Sequence, residues 1–138
     1  SPKIENIPKE QKNTKLFHAL NNKNILGLAS DQGISQFGLE NLFFNKKIYT
    51  PKGAAKLHLS TNKPIIVGFC SRTKKNKYSI SLNYLNTNNL SKDRDIAIKQ
   101  INNAFIKQLE HQIKEKPEQY FWYHRIWANK NYNHDLSS

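Results

Sequence analysis

Methionine is absent from this chain and cysteine occurs once, at Cys70. A lone cysteine cannot pair within the chain, so there is no disulfide framework and nothing points to an oxidising compartment. With no CxxC pair and no Cys/His cluster, the sequence offers no zinc site and no metal is expected. Long apolar runs are missing as well. The longest, Ile25 to Ala29 and Pro64 to Cys70, fall far short of the ~20 residues that a membrane-spanning helix requires. The first fifteen residues, SPKIENIPKEQKNTK, mix charge and polarity without an apolar h-region, so they carry no signal-peptide pattern. Phosphate loops of the GxxxxGK[ST] or GxGxxG kind are lacking, and nucleotide binding has no motif support. Because methionine is missing even at position 1, the chain is expected to be a piece of a longer protein.

What is present suits one modest domain of 138 residues. Hydrophobic residues make up 37% and mean hydropathy is -0.77, yet seven Phe, six Tyr and two Trp supply bulk for a core. Net charge is +12, and a field of that sign attracts nucleic acid, acidic lipid headgroups or phosphorylated substrates. Part of the excess belongs to a composition rich in Lys, Asn and Ile, the bias of an AT-rich coding sequence. The three arginines, Arg72, Arg94 and Arg125, say more, because a guanidinium kept among so many lysines suggests a planar, bidentate contact.

Residues 1–14 read as a polar leader, 15–127 as one continuous domain and 128–138 as a polar tail. The spacing predicts a helix end over 15–23 and a buried strand over 25–29 that delivers Ser30, Asp31, Gln32 and Gly33 to its C-terminal end. Residues 33–49 show too little periodicity for an assignment. Thr50 and Pro51 then look like the cap and first position of a helix running to about Ser60. A second buried strand is expected over 64–72 and a half-exposed one over 78–85, the order implying a parallel pair with a right-handed crossover. A long helix follows from a Ser91 cap to about Lys116, with Ile98, Ile101, Phe105, Leu109 and Ile113 on its apolar stripe. Lys99, Lys107, Gln108 and Lys114 are expected to face water. Pro117 ends it, and five aromatics crowd into residues 120–127.

No histidine is followed five positions later by an acid, so a general base is not evident among His18, His58, His111, His124 and His134. Asp31 at a strand end is the best candidate for a functional carboxylate, with a turn-stabilising role as the alternative. Arg72, at the end of the other strand, is expected near the same crevice, as part of a charged pocket mouth or of an ordinary surface ion pair. The aromatics from Tyr120 to Trp127 fit core packing, a membrane-interface belt or base stacking, with core packing favoured for about half of them.

Taken in order, ASDQ (29–32), LFFNKKIYTPKGAAKLHLSTNKPIIVGFCSR (42–72) and KEKPEQYFWYHRIW (114–127) resemble the C-terminal half of the bacterial lipid A biosynthesis acyltransferases. The resemblance implies an α/β fold, a mixed sheet flanked by helices, as in the C-terminal part of glycerol-3-phosphate acyltransferase-like proteins. It implies acyl transfer from acyl carrier protein to a hydroxyl of a Kdo-lipid A type glycolipid, with no cofactor besides that co-substrate. The base of this family is the His of an HxxxxD or HxxxxE motif, which is not in this chain. The N-terminal half with that motif and an apolar anchor is thus expected to be missing, and the chain alone to be inactive.

Carried over by position, Asp31 matches the acidic active-site element in a supporting role. Gln32, Thr50, Gly53, Arg72, Glu118, His124 and Arg125 match substrate-binding positions, and Phe43 and Phe44 would line an acyl pocket. Gly33 stands where many relatives have a second acid. The implied location is the cytoplasmic face of the bacterial inner membrane, with the membrane surface as a partner and no nucleic acid. The alternatives are a non-catalytic remnant that binds glycolipid or a membrane surface and, less favoured, a basic nucleic-acid-binding module whose RRM-like or OB-like signatures are missing.

Overall fold

The computed structural model describes residues 4–7, 14–22, 24–31, 38–123 and 126–127. The polar tail, Gln32, His124 and Arg125 lie outside the described residues, as does much of the leader. In order, the elements are α1 (Thr14–Asn21), β1 (Leu39–Phe43), β2 (Lys46–Thr50), α2 (Gly53–Thr61), β3 (Ile66–Lys74), β4 (Lys77–Tyr84) and α3 (Arg94–Glu115). A 3-10 turn, Pro117–Gln119, follows. The chain is α/β, and its described strands form two antiparallel pairs, β1-β2 and β3-β4.

The expected parallel pair does not form, because the segment meant to supply its first strand, residues 25–29, is not a strand. Ile25 is 99% exposed, and an apolar run cannot become a buried strand without a neighbouring edge and a covering layer. The neighbour taken for its parallel partner, β3, instead turns back through Asn76, at φ 60, and pairs along its length with β4. Only Val67 in this hairpin is fully buried, so the expected buried strand over 64–72 is half-exposed. Ile66, Tyr78, Ile80, Leu82 and Tyr84 share the open face.

The stretch without readable periodicity holds the β1-β2 hairpin. Phe44 and Asn45 both take positive φ, 47° and 61°, between the paired Phe43 and Lys46. That is the two-residue turn whose twist matches antiparallel strands. Asparagine suits it, phenylalanine does not, and the strained Phe44 is held by its N–H, which donates to Glu110 Oε1 at 2.6 Å. Among the described residues, four of the five non-glycine residues with positive φ are asparagines, so part of the Asn content serves backbone turns.

Two corrections concern helix starts. Thr50 does not cap α2: Lys52 stands at the cap without a side-chain bond, and Thr50 ends β2 in the core. Its Oγ1 accepts from Asn41 Nδ2 at 2.6 Å and Asn102 Nδ2 at 3.0 Å, while Asn102 Nδ2 also donates to the Pro51 carbonyl at 3.0 Å. Ser91 does not cap α3 either. Asp93 does, accepting from Asp95 N and Ile96 N, and Ser91 Oγ receives the Asp93 N–H. A carboxylate at the positive end of a helix outcompetes a hydroxyl two residues earlier.

The apolar stripe of α3 is as expected at Ile98, Ile101, Leu109 and Ile113, with Phe105 half-buried and Ile106 added. Gln108, expected in water, is half-buried, with Nε2 donating to the Tyr84 carbonyl at 3.4 Å and Oε1 unpaired. Ile106, Leu109 and Ile113 pack with Phe43, Ile48 and Ile126, whereas Ile98 and Ile101 pack with Ala55, Val67 and Leu85. Phe69 and Phe105 touch both clusters.

Replacing Thr50 by Val keeps the shape and removes one acceptor from each of two amides, leaving Asn41 Nδ2 only the Leu39 carbonyl and Asn102 Nδ2 only the Pro51 carbonyl. The substitution is expected to cost about 2 kcal/mol, against under about 1 kcal/mol for Thr50→Ser, in urea unfolding. Equal losses for the two would show that the hydroxyl is not the hub.

Candidate functional site

Between residues 26–31, α2, β3 and α3 lies a cleft of about 550 Å³. Its walls come from side chains already placed by the core: Leu57, Ile65, Val67 and Phe69 on one side, Ile101, Phe105 and Leu109 on the other. Leu26 and Leu28 close part of a third side. Charge is sparse within it. Among the described residues, Asp31 is the one acid of the lining, and Lys63 and Lys116 are its lysines.

Asp31 and Thr50 both line the cleft, Asp31 as an exposed residue and Thr50 as the buried hub already described. Arg72 stands outside the lining. Its Nη2 donates to Tyr78 Oη at 3.2 Å, and its guanidinium lies 5.6 Å from the centre of that ring. Asp31 and Arg72 form no ion pair among the described residues. They are tied to neighbouring residues instead: Gln119 holds the Arg72 main chain and Tyr120 Oη donates to the Asp31 carbonyl at 3.2 Å.

Glu118 is exposed in the 3-10 turn and is not part of the lining. Gly53 opens α2 with open space where a Cβ would stand, so packing does not require glycine there. Phe43 is 0% exposed and forms the centre of the aromatic cluster, behind the cleft; Phe44 packs edge-on against it at 4.7 Å. Neither lines the cleft. Gln32, His124 and Arg125 lie outside the described residues.

The aromatic stretch divides as its chemistry requires. Trp127 stacks on Phe43 at 5.5 Å and donates Nε1–H to the Phe43 carbonyl, and Tyr120 packs on the same cluster. Phe121 and Tyr123 are exposed, the latter by 90%. Tyr120 is more than a core residue. Burial first, then the Asp31 carboxylate, pushes its phenol above the ordinary value of 10.0.

Sequence reasoning missed Gln119, Tyr120 and Asn102 as parts of this site and left His58 undecided. Gln119 and Tyr120 had a legible cue, since Pro117 stops α3 and turns the next residues across the strand ends. His58 lines the cleft and its Nδ1 meets the Lys63 carbonyl at 2.8 Å. A carbonyl only accepts, so Nδ1 carries the proton of that bond. No histidine of the cleft lining is paired with a carboxylate. Among the described residues no group of three or more His, Cys, Asp or Glu could hold a metal ion, and no helix is long and apolar enough to cross a membrane.

A phenol with a raised pKa favours the folded state below the unfolded value of about 10, and that contribution is lost as pH climbs through the folded value. Wild type is therefore expected to exceed Tyr120→Phe by about 1 kcal/mol at pH 8, with the gap shrinking above pH 10. Paired urea melts at both pH values measure it, and a constant gap would contradict the assignment.

Comparison with known proteins reaches the level of family. Residues 2–129 match the profile described as bacterial lipid A biosynthesis acyltransferase. No curated protein and no solved structure matches the chain. A profile that spans nearly all of the sequence, and with it both hairpins, the cleft and the aromatic closure, defines membership: the chain belongs to the bacterial lipid A biosynthesis acyltransferase family.

Proposed function

We propose that the chain serves acyl transfer from the thioester of an acyl carrier protein to a hydroxyl of a Kdo-lipid A type glycolipid, and that its cleft receives the acyl chain. The observation that carries this reading is the cleft itself, about 550 Å³ with largely apolar walls and its few charges outnumbered by them. That volume falls within the roughly 300–1,000 Å³ of small-molecule sites. Its apolar walls suit a hydrocarbon, whose transfer from water is favourable by about 0.8 kcal/mol per CH₂.

In the reaction the acceptor hydroxyl oxygen attacks the thioester carbonyl, a C–O bond forms and the C–S bond breaks. The hydroxyl proton passes to a base, and the carrier leaves as the thiol after taking a proton back. The thioester is already activated, so no cofactor enters. The base is the histidine of an HxxxxD or HxxxxE motif supplied from outside residues 1–138, and residues 1–138 alone bind without turning over. Asp31 orients a substrate group or a cation at the mouth rather than acting as base. Arg72 and Arg125 hold phosphate or carboxylate groups of the glycolipid, which arginine grips bidentately. Gln32, Glu118 and His124 flank the acceptor, Thr50 ties the end of β2 to α3 through the Asn102 amide, and Gly53 opens α2. The acyl-lining role is assigned to Val67, Phe69 and Phe105, with Phe43 supporting them from behind and Phe44 from the turn. The reaction takes place at the cytoplasmic face of the inner membrane, where carrier and glycolipid meet.

Ala54 lines the cleft and is half-buried, so a larger side chain there occupies ligand space. Ala54→Phe is expected to weaken binding of a dodecanoyl probe by about tenfold, the loss of one to two buried methylene contacts, at unchanged melting temperature. Isothermal titration reads the affinity. Undiminished binding would remove the acyl chain from this cleft.

A further inference from the structure

The walls of the cleft are unequally fastened. Ala55 of α2, Val67 of β3 and Ile101 of α3 share one core cluster, and Phe69 and Phe105 join it to the other. The third wall, residues 24–31, has neither helix nor strand and supplies no residue to either cluster. Leu26, Leu28 and Ser30 line the cleft, whereas Ile25 is 99% exposed and a Cβ at Gly27 would meet nothing within 4 Å. Among the described residues this strap lies over the cleft with no layer behind it.

Two attachments hold it. At one end the Asn24 N–H donates to the Ala19 carbonyl of α1 at 3.2 Å, and α1 packs on α2 with no residue fully buried. At the other end Tyr120 Oη donates to the Asp31 carbonyl at 3.2 Å. Among the described residues no other hydrogen bond reaches residues 25–31. A segment with so few buried side chains and one bond beyond its hinge opens at far lower cost than the packed walls beside it.

The partner of that bond is fixed. The Tyr120 ring lies 6.2 Å from Phe43 and edge-on to Trp122 at 5.0 Å, and its N–H donates to the Pro117 carbonyl. The hydroxyl therefore keeps its place whether or not Asp31 is bound to it.

We propose that residues 24–31 are a gate: they lift from the cleft about the end of α1 and close on the Tyr120 hydroxyl, admitting an extended hydrocarbon from the side. This rests on reading the cleft as an acyl site. Side entry displaces only the strap, while α2, β3 and α3 stay packed. Bound hydrocarbon covers Leu26 and Leu28 from within and so favours the closed form. The latch uses the Asp31 main chain, so the Asp31 carboxylate is brought to the mouth only when the gate is shut.

Tyr120→Phe removes the catch and keeps the ring, and loss of one hydrogen bond is expected to raise the open population about fivefold. The hydroxyl is engaged by Asp31 and not by the hydrocarbon. Association and dissociation of decanoate are therefore expected to quicken together, each about fivefold, with the dissociation constant within about twofold of wild type. NMR line shapes across a decanoate titration of the intact chain read both rates, and circular dichroism checks the fold. In wild type, cleavage by chymotrypsin after Leu26 and Leu28, located by mass spectrometry, is expected to slow about tenfold when decanoate saturates the cleft.

Unchanged rates in Tyr120→Phe, or weaker binding at an unchanged association rate, would overturn the gate and leave the acyl cleft standing. So would cleavage after Leu26 and Leu28 that decanoate does not slow, and this arm decides alone if the variant does not fold. Failure of decanoate to bind wild type would take the acyl reading down with the gate.

Discussion

The structure depends on one helix whose single apolar stripe is packed over two successive lengths. Along α3, Ile98 and Ile101 face Ala55, Val67 and Leu85, while Ile106, Leu109 and Ile113 face Phe43, Ile48 and Ile126. Each hairpin, too small to be stable alone, is fastened to a different length of the same helix. Polar bonds set the register. Glu110 takes the N–H of the strained Phe44, and Asn102 takes the Pro51 carbonyl while feeding the Thr50 hydroxyl. The cleft is the space left where these two attachments diverge, and Phe69 and Phe105, shared by both clusters, lie along it.

That origin explains why the cleft is apolar yet bordered by backbone. A two-stranded sheet has two free edges, and unpaired N–H and C=O groups on them must be met by water, side chains or ligand. Two glutamines from the helical side of the molecule meet them in part: Gln108 at the Tyr84 carbonyl of β4 and Gln119 at Arg72 of β3. Gln119 sits where Pro117 has stopped α3, so the same proline that ends the helix places the amide on the strand. Tyr120, the next residue, reaches the Asp31 carbonyl.

The helices and the last two strands were legible in the sequence because their cues are local. Pro117, the 3.6-residue stripe of α3 and the alternation over residues 78–85 need no knowledge of distant residues, although β4 is exposed on both faces and not half-exposed as the alternation implied. The β1-β2 hairpin was not legible, since its turn places a phenylalanine at positive φ and only Glu110, 66 residues away, compensates. Thr50 misled for a similar reason. Thr-Pro reads as a helix start, and the partners that draw the hydroxyl into the core, Asn41 and Asn102, lie on other elements. Residues 25–29 have a strand's composition but no ladder, because composition supplies apolar side chains and not an edge. Of the site, Asp31 and Thr50 reach the cleft as lining residues, whereas Phe43 is behind it and Arg72 outside.

Charge completes the account of how such a cleft would select its ligand. From residue 41 to residue 92 the chain contains no acid, so α2, β3 and β4 form a one-signed surface beside the cleft. Lysines and Arg72 on exposed positions contribute little to stability, and their field acts mainly on the approach of anions. At one end of the lining the sign changes locally, with Asp31 beside the half-buried Tyr120 phenol. On the acyl-transfer reading, an anionic headgroup would be drawn toward the hairpin and kept from the Asp31 end by like charge, while the hydrocarbon would enter where charge is sparse. Attraction at the rim and repulsion at one end give a ligand direction as well as affinity, which a purely apolar trough would not.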